Sequence, residues 1–171
     1  MAGVLVATDV LEQIKPRRFA GDVYRVMVND YPPEKENTVG ARWNPRGVAA
    51  IYTSSDAEQA LAELRHKFSR QPTTVRPDLV LVVYKINVEI AEVVDLADAT
   101  KALDKAGLTV DRLLADSWID SQAVGNTVVW LGRGGLLVPS ARGTNKNLVI
   151  YPNTAGTYQF TAKEIRRLSV G

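Results

Sequence analysis

The spacing of apolar and polar positions divides this chain into short strands and a few helices. Residues 23–28, a valine-rich run carrying Tyr24, predict a strand. Residues 29–47 hold Asn29, Asp30, Pro32, Pro33, Asn37, Gly40, Asn44, Pro45 and Gly47, a turn-rich stretch with no regular period. A loop of that length in a compact domain is commonly functional or disordered. Residues 50–53 predict a short strand, and Ser54-Ser55-Asp56 offers caps to a helix over 57–69. Within that helix Ala60, Leu61, Leu64 and Phe68 recur at helical spacing and form one buried stripe.

Pro72 and Pro77 break the helical pattern. Residues 79–86 are strongly apolar and predict a strand, with 92–96 as a second. A short helix is expected over 99–105, ended by Gly107, then one turn at 111–114. A further helix spans 120–131, entered after Asp116-Ser117. Strands are predicted at 136–138, 148–151 and 158–160, while 163–170 suits helix or strand equally. No repeat, low-complexity tract or linker divides the chain, so one domain over 1–171 is expected. Strands and helices mix without strict alternation, which favours an α+β fold over a doubly wound parallel sheet.

Composition narrows the chemistry. With 171 residues and 46% hydrophobic content, the chain can bury a core without disulfides. It has no cysteine, which excludes a thiolate metal site and a cysteine nucleophile and fits a cytoplasmic location. The run 3–10 is mildly apolar, but no basic residue precedes it and Asp9 interrupts it, so it is a poor signal peptide. No apolar stretch approaches the ~20 residues of a membrane helix. Net charge is only +2, and the basic residues Arg17-Arg18, Arg65, Lys67, Arg70 and Arg166-Arg167 are interspersed with acids. That pattern reads as solvated surface rather than a nucleic-acid footprint.

The residues able to carry chemistry lie far apart in sequence. They are Tyr24-Arg25, Gly40-Ala41-Arg42-Trp43-Asn44, Ile51-Tyr52, Glu63, and Val138-Pro139-Ser140-Ala141. A guanidinium is always charged and forks onto phosphate oxygens, so Arg25 and Arg42 suit a diphosphate, although a strand arginine also commonly reaches solvent. Trp43 and Asn44 read as an aromatic anchor and a turn former, and Arg46 as exposed. Tyr52 is either half-buried core with a partnered hydroxyl or a stacking surface. Glu63 borders the apolar helix stripe, as a salt-bridged boundary residue or as an inward-facing acid. Ser140 is no classical hydrolase nucleophile, because the only histidine is His66 and no Gly-x-Ser-x-Gly elbow surrounds the serine. Asn147 opens a strand beside it, near Arg142. Asp95, Asp98, Asp111, Asp116 and Asp120 fall at turn and cap positions, and no metal set is expected from them or from His66. Gly132-Arg133-Gly134-Gly135 lacks the dinucleotide fingerprint.

This ordered series resembles the RES family, named for its Arg, Glu and Ser, over residues 24–152. The usual family form has two glycines before the second arginine, where this chain has Ala41. Ser121-Gln122-Ala123-Val124-Gly125, followed by Trp130, is similar to the family's Ser/Thr-Gln-x-x-Gly segment, in which Gln122 would brace the pocket wall and Gly125 permit close packing. The resemblance implies an ADP-ribosyltransferase-like core: two small sheets around an NAD cleft, flanked by helices. It implies a toxin of a toxin–antitoxin pair that cleaves the nicotinamide–ribose bond of NAD+. Arg25 and Arg42 would bind phosphate and ribose, Tyr52 would stack nicotinamide, and Glu63 would stabilise the ribosyl cation. Ser140 would support the acid or the leaving group, Asn147 would line the pocket, and no metal would be required. The implied partner is an antitoxin, often with a helix-turn-helix domain, whose tail blocks the cleft; a toxin homodimer within that complex also fits.

The acceptor of the ribosyl group is open at this level: water, phosphate or a protein side chain would each use the same electrophile. A different class, a non-catalytic module binding nucleic acid through its arginines and three tryptophans, predicts salt-dependent affinity and no loss of NAD+. The weak overall charge and the ordered residue series count against it.

Overall fold

The computed structural model describes residues 2–71, 78–140 and 145–169; Pro72, Pro77, Ala141, Arg142 and Val170 lie outside the described residues. In chain order the elements are α1 (Ala2–Leu11), β1 (Arg17–Val28), β2 (Ile51–Ser54), α2 (Ala57–Arg70), β3 (Val80–Asp95) and α3 (Leu96–Lys105). They continue with α4 (Val110–Leu113), α5 (Ile119–Trp130), β4 (Gly135–Pro139), β5 (Lys146–Ile150) and β6 (Gln159–Ser169).

β3 is the spine. It pairs antiparallel with β1 from Arg17↔Val93 to Val28↔Leu81, and its other edge takes β6 from Val80↔Ser169 to Glu89↔Gln159. β2, β5 and β4 form a second antiparallel half. The halves join twice. β3 meets β4 in parallel from Val93↔Gly135 to Asp95↔Leu137, whereas β1 meets β2 at the single pair Tyr24↔Ser54. The sheet therefore closes through β1-β2-β5-β4-β3 back to β1, with β6 outside. The expected α+β class holds, and its two small sheets are the two halves of one curled sheet.

Val23, Ile51, Ile86, Val88, Ile90, Leu148 and Ile150 form one buried cluster drawn from β1, β2, β3 and β5. A second cluster joins α1, α3 and α5 to the sheet through Leu11, Leu96, Leu103, Val124, Val128, Leu136 and Val149. A third seats α2 through Leu61 against Leu81 and Val83. α2 begins as its sequence indicates: Asp56 caps it, its carboxylate accepting from Glu58 N at 2.7 Å. α5 departs from expectation at its start, because Trp118 occupies the cap position without a side-chain bond.

Three strands run well beyond the pattern, and the first is β1, which begins at Arg17 rather than at Val23. The strands expected at 79–86 and 92–96 are one, because Asn87 and Glu89 are the outward members of an alternation whose inward members, Val88 and Ile90, are buried. β6 joins Gln159 and Phe160 of the strand expected at 158–160 to the ambiguous 163–170 segment as far as Ser169; its mostly exposed side chains, four of them charged, suit an outer strand and conceal its periodicity. The run considered as a leader is helix α1, whose Ala7 and Leu11 are buried in the core. Among the described residues, no helix is long and apolar enough to cross a membrane.

Candidate functional site

Glu63 sits where α2, β2, β4 and β5 converge. Its Oε1 accepts from Asn147 Nδ2 at 2.9 Å, Ser140 Oγ at 3.2 Å and Gln59 Nε2 at 3.4 Å. Its Oε2 accepts from Ser54 Oγ at 3.3 Å. A half-buried carboxylate is tolerated only with such donors. The distribution is uneven: Oε1 is saturated, while Oε2 keeps acceptor capacity for an incoming hydroxyl.

Two cavities meet at this carboxylate. The larger, about 320 Å³, is lined by Tyr24 and Arg25 of β1, Thr53 and Ser54 of β2, Asn37, and Lys67 of α2. The smaller, about 180 Å³, is lined by Arg42, Trp43, Leu114, Val138, Pro139 and Val149. Tyr52, Glu63 and Asn147 line both. The larger cavity opens where β1 and β2 part around their single pairing.

The loop 29–47 is tied to the sheet and to α5 by hydrogen bonds centred on Asn44. Asn44, fully buried, donates from Nδ2 to Val48 O at 2.7 Å and Asn37 O at 3.2 Å, and its Oδ1 accepts from Tyr52 Oη at 2.5 Å. Tyr52 Oη accepts in turn from Trp43 N at 2.9 Å. Burial raises the ionisation of this phenol well above its usual range, so it works as a neutral hydrogen-bonding group. Gln122 Nε2 donates to Ala41 O at 2.9 Å, and Tyr151 Oη donates to Trp43 O at 2.7 Å. Gly40 takes the positive φ of 103° while Ala41 does not, so the alanine in place of a glycine introduces no backbone strain. At Gly125 a Cβ would stand 1.8 Å from Trp43 O, so helix α5 and the loop can touch only through a glycine.

Both arginines line a cavity and also bond to backbone carbonyls. Arg25 Nη1 donates to Pro33 O at 2.5 Å and Lys35 O at 2.7 Å, and Arg42 Nη1 to Ala115 O at 2.6 Å and Leu113 O at 3.1 Å. Burial pushes the Arg25 guanidinium down to about 10, against the opposing pull of Glu34. Burial also lowers Arg42, opposed chiefly by Asp116. Among the described residues, no group of three or more His, Cys, Asp or Glu is placed to hold a metal ion.

The model of the RES domain matches residues 15–169. This chain belongs to the RES domain family. It is 31% identical over 115 residues to the NAD(+) phosphorylase MbcT of Mycobacterium bovis and to that of Mycobacterium tuberculosis, covering 66% of this chain and 61% of each relative. The chain thus spans about three fifths of the length of these curated relatives. The crystal structure of the M. tuberculosis MbcT-MbcA toxin-antitoxin complex superposes with a TM-score of 0.69 at 19% identity, covering 98% of this chain and 92% of that one, a likeness of fold.

Within this RES domain the structure brings Glu63, Tyr52, Ser140 and Asn147 together, and sets Arg25 and Arg42 on opposite cavities rather than on one. Asn44 does more than form a turn, and Arg25 pins a loop instead of reaching solvent. Of the aspartates expected at turns and caps, Asp95 caps α3 and pairs with Lys146, Asp98 pairs with Arg17 and Asp120 with Arg112, while Asp116 exerts its pull on Arg42. Ser54 and Gln59 are the contributors that sequence reasoning missed. Gln59 had a signal, since it precedes Glu63 by one helical turn. Ser54 had none, because its position before the helix is also where a cap belongs.

Proposed function

We propose that this chain is an NAD+-cleaving enzyme and the toxin of a toxin–antitoxin pair. The observation that carries this reading is the Glu63 carboxylate, held by four neutral donors at the junction of two cavities that each contain an arginine. The MbcT relatives, named NAD(+) phosphorylases, support the same substrate.

In the proposed reaction the bond between C1′ and the nicotinamide nitrogen breaks first. Its electron pair moves to the ring nitrogen, cancels the positive charge there, and nicotinamide leaves neutral. Positive charge develops on the ribose, where Glu63 Oε2, with its spare acceptor capacity, binds a ribose hydroxyl and faces that charge. Stabilisation of this kind is often the largest catalytic contribution. The arginines grip the dinucleotide and Tyr52 supplies a flat ring beside the leaving base. Ser140, Asn147, Gln59 and Ser54 keep the carboxylate aimed. A phosphate oxygen then bonds to C1′, giving ADP-ribose phosphorylated at its anomeric carbon.

The partner in this reading is an antitoxin of helix-turn-helix type whose tail enters the cleft, and a toxin homodimer forms the centre of the complex. The pair acts in the cytoplasm. Incubating purified protein with NAD+, with and without phosphate, and identifying products by mass spectrometry tests the proposal. Nicotinamide with phosphorylated ADP-ribose is expected; ADP-ribose alone would make water the acceptor. Folded protein that leaves NAD+ intact would overturn the enzymatic reading.

A further inference from the structure

We infer that Lys67 is a substrate-binding residue, the second cation of the larger cavity, holding a phosphate oxygen opposite Arg25. The inference rests on the NAD+ reading of this same site.

Lys67 follows Glu63 by one turn of α2, so both project from one helix face, and both line the larger cavity. A glutamate four residues before a lysine is the order that favours an ion pair along a helix. Here that pair is not made. The Glu63 carboxylate turns instead to Asn147, Ser140, Gln59 and Ser54. Among the described residues no carboxylate pairs with Lys67. Of the loose basic cluster Arg65, Lys67 and Arg70, only Lys67 reaches the cavity.

Charge points the same way. Among the described residues, the ionisable side chains lining the larger cavity, tyrosines aside, are Arg25 and Lys67 against Glu63, a surplus of one cation. Arg25 has already committed Nη1 to the carbonyls of Pro33 and Lys35. A diphosphate carries two negative charges, and one partly committed guanidinium matches only one of them. Among the described residues Arg42 is the one cation of the smaller cavity, where Glu63 already offsets its charge and Trp43, Leu114, Val138, Pro139 and Val149 supply apolar wall, a setting for a flat base rather than for phosphates. Lysine contributes a flexible, hydrated point charge that reaches an oxygen without needing a fixed fork.

The phosphate group has two possible sources, the dinucleotide and the inorganic phosphate that attacks it. Lys67→Gln and Lys67→Arg should be assayed for KM towards NAD+ at saturating phosphate and KM towards phosphate at saturating NAD+. ADP affinity should be measured by calorimetry at low and high salt. The glutamine variant is expected to raise one KM about five- to tenfold, as for an exposed charge-assisted bond, with kcat within about twofold. The arginine variant should restore most of the loss. A rise for NAD+ with weakened, less salt-dependent ADP binding assigns the dinucleotide; a rise for phosphate alone assigns the attacking anion. Unchanged KM values and ADP affinity in a folded, active Lys67→Gln protein would overturn the inference. Wild-type protein that binds ADP through Lys67 but leaves NAD+ intact would keep the cation and defeat the reaction.

Discussion

Replacing Glu63 with glutamine separates the charge of this residue from its shape. The amide oxygen can take the place of Oε1 and still accept from Asn147, Ser140 and Gln59. The amide nitrogen then faces Ser54 Oγ, a hydroxyl able to rotate and accept. Each charge-assisted bond that becomes neutral costs about 1 kcal/mol. Releasing a half-buried carboxylate from its desolvation offsets part of that sum. The net loss should be about 1 to 2 kcal/mol, a fall in Tm of roughly 2 to 8 °C for a chain of this size. Catalysis should suffer more. Removing one stabiliser of transition-state charge costs about 3 kcal/mol, or roughly a hundredfold or more in kcat, while NAD+ affinity changes little. Thermal melting, calorimetry with NAD+ and steady-state turnover measure the three quantities separately. Turnover near that of the wild type in a folded variant would remove Glu63 from the mechanism. Equal losses of affinity and rate would mean that its charge acts in the ground state.

Gly125→Ala drives a methyl into Trp43 O and the Tyr151 hydroxyl, so a loss of about 3 kcal/mol, read as a Tm lower by roughly 6 to 12 °C, is expected. Arg25→Ala releases the carbonyls of Pro33 and Lys35 as well as the proposed hold on NAD+, so both Tm and NAD+ affinity should fall; unchanged NAD+ affinity by calorimetry would refute the clamp. Arg42→Ala should weaken NAD+ affinity in the same way, and dinucleotide titrations showing no change would exclude it from binding. Expressing the chain alone should arrest bacterial growth, and co-expressing its antitoxin should relieve the arrest; normal growth with abundant folded protein would contradict the toxin reading.

Local order in the sequence made part of this structure legible. Asp56 and the stripe from Ala60 to Phe68 locate α2 almost to the residue, because cap and period act within a few positions. The same helical geometry places Glu63 at the edge of that stripe, as boundary residue or inward acid, and the resemblance to the RES family is what singles it out. What escaped depends on contacts between distant segments. β3 reads as two strands until β1 and β6 are seen to pair across Asn87 and Glu89. α1 looks like an isolated apolar run until it packs on α5 and α3. The tie from Arg25 to the 29–47 loop depends on how the loop folds back, which no spacing along β1 encodes.

The unequal joints of the closed sheet also bear on how the molecule breathes. A ring of strands yields first at its weakest rung, and here that rung is Tyr24↔Ser54. Parting it leaves the long β1–β3 ladder intact and leaves β2 zipped to β5. The mouth of the larger cavity can therefore widen at the cost of a local opening rather than of global unfolding. Amide hydrogens of this rung should exchange with solvent well before those of Val83 or Val149, which lie inside continuous ladders. Substrate entry would then be gated by a stitch in the barrel wall, and ligands spanning β1 and β2 would act as its clasp.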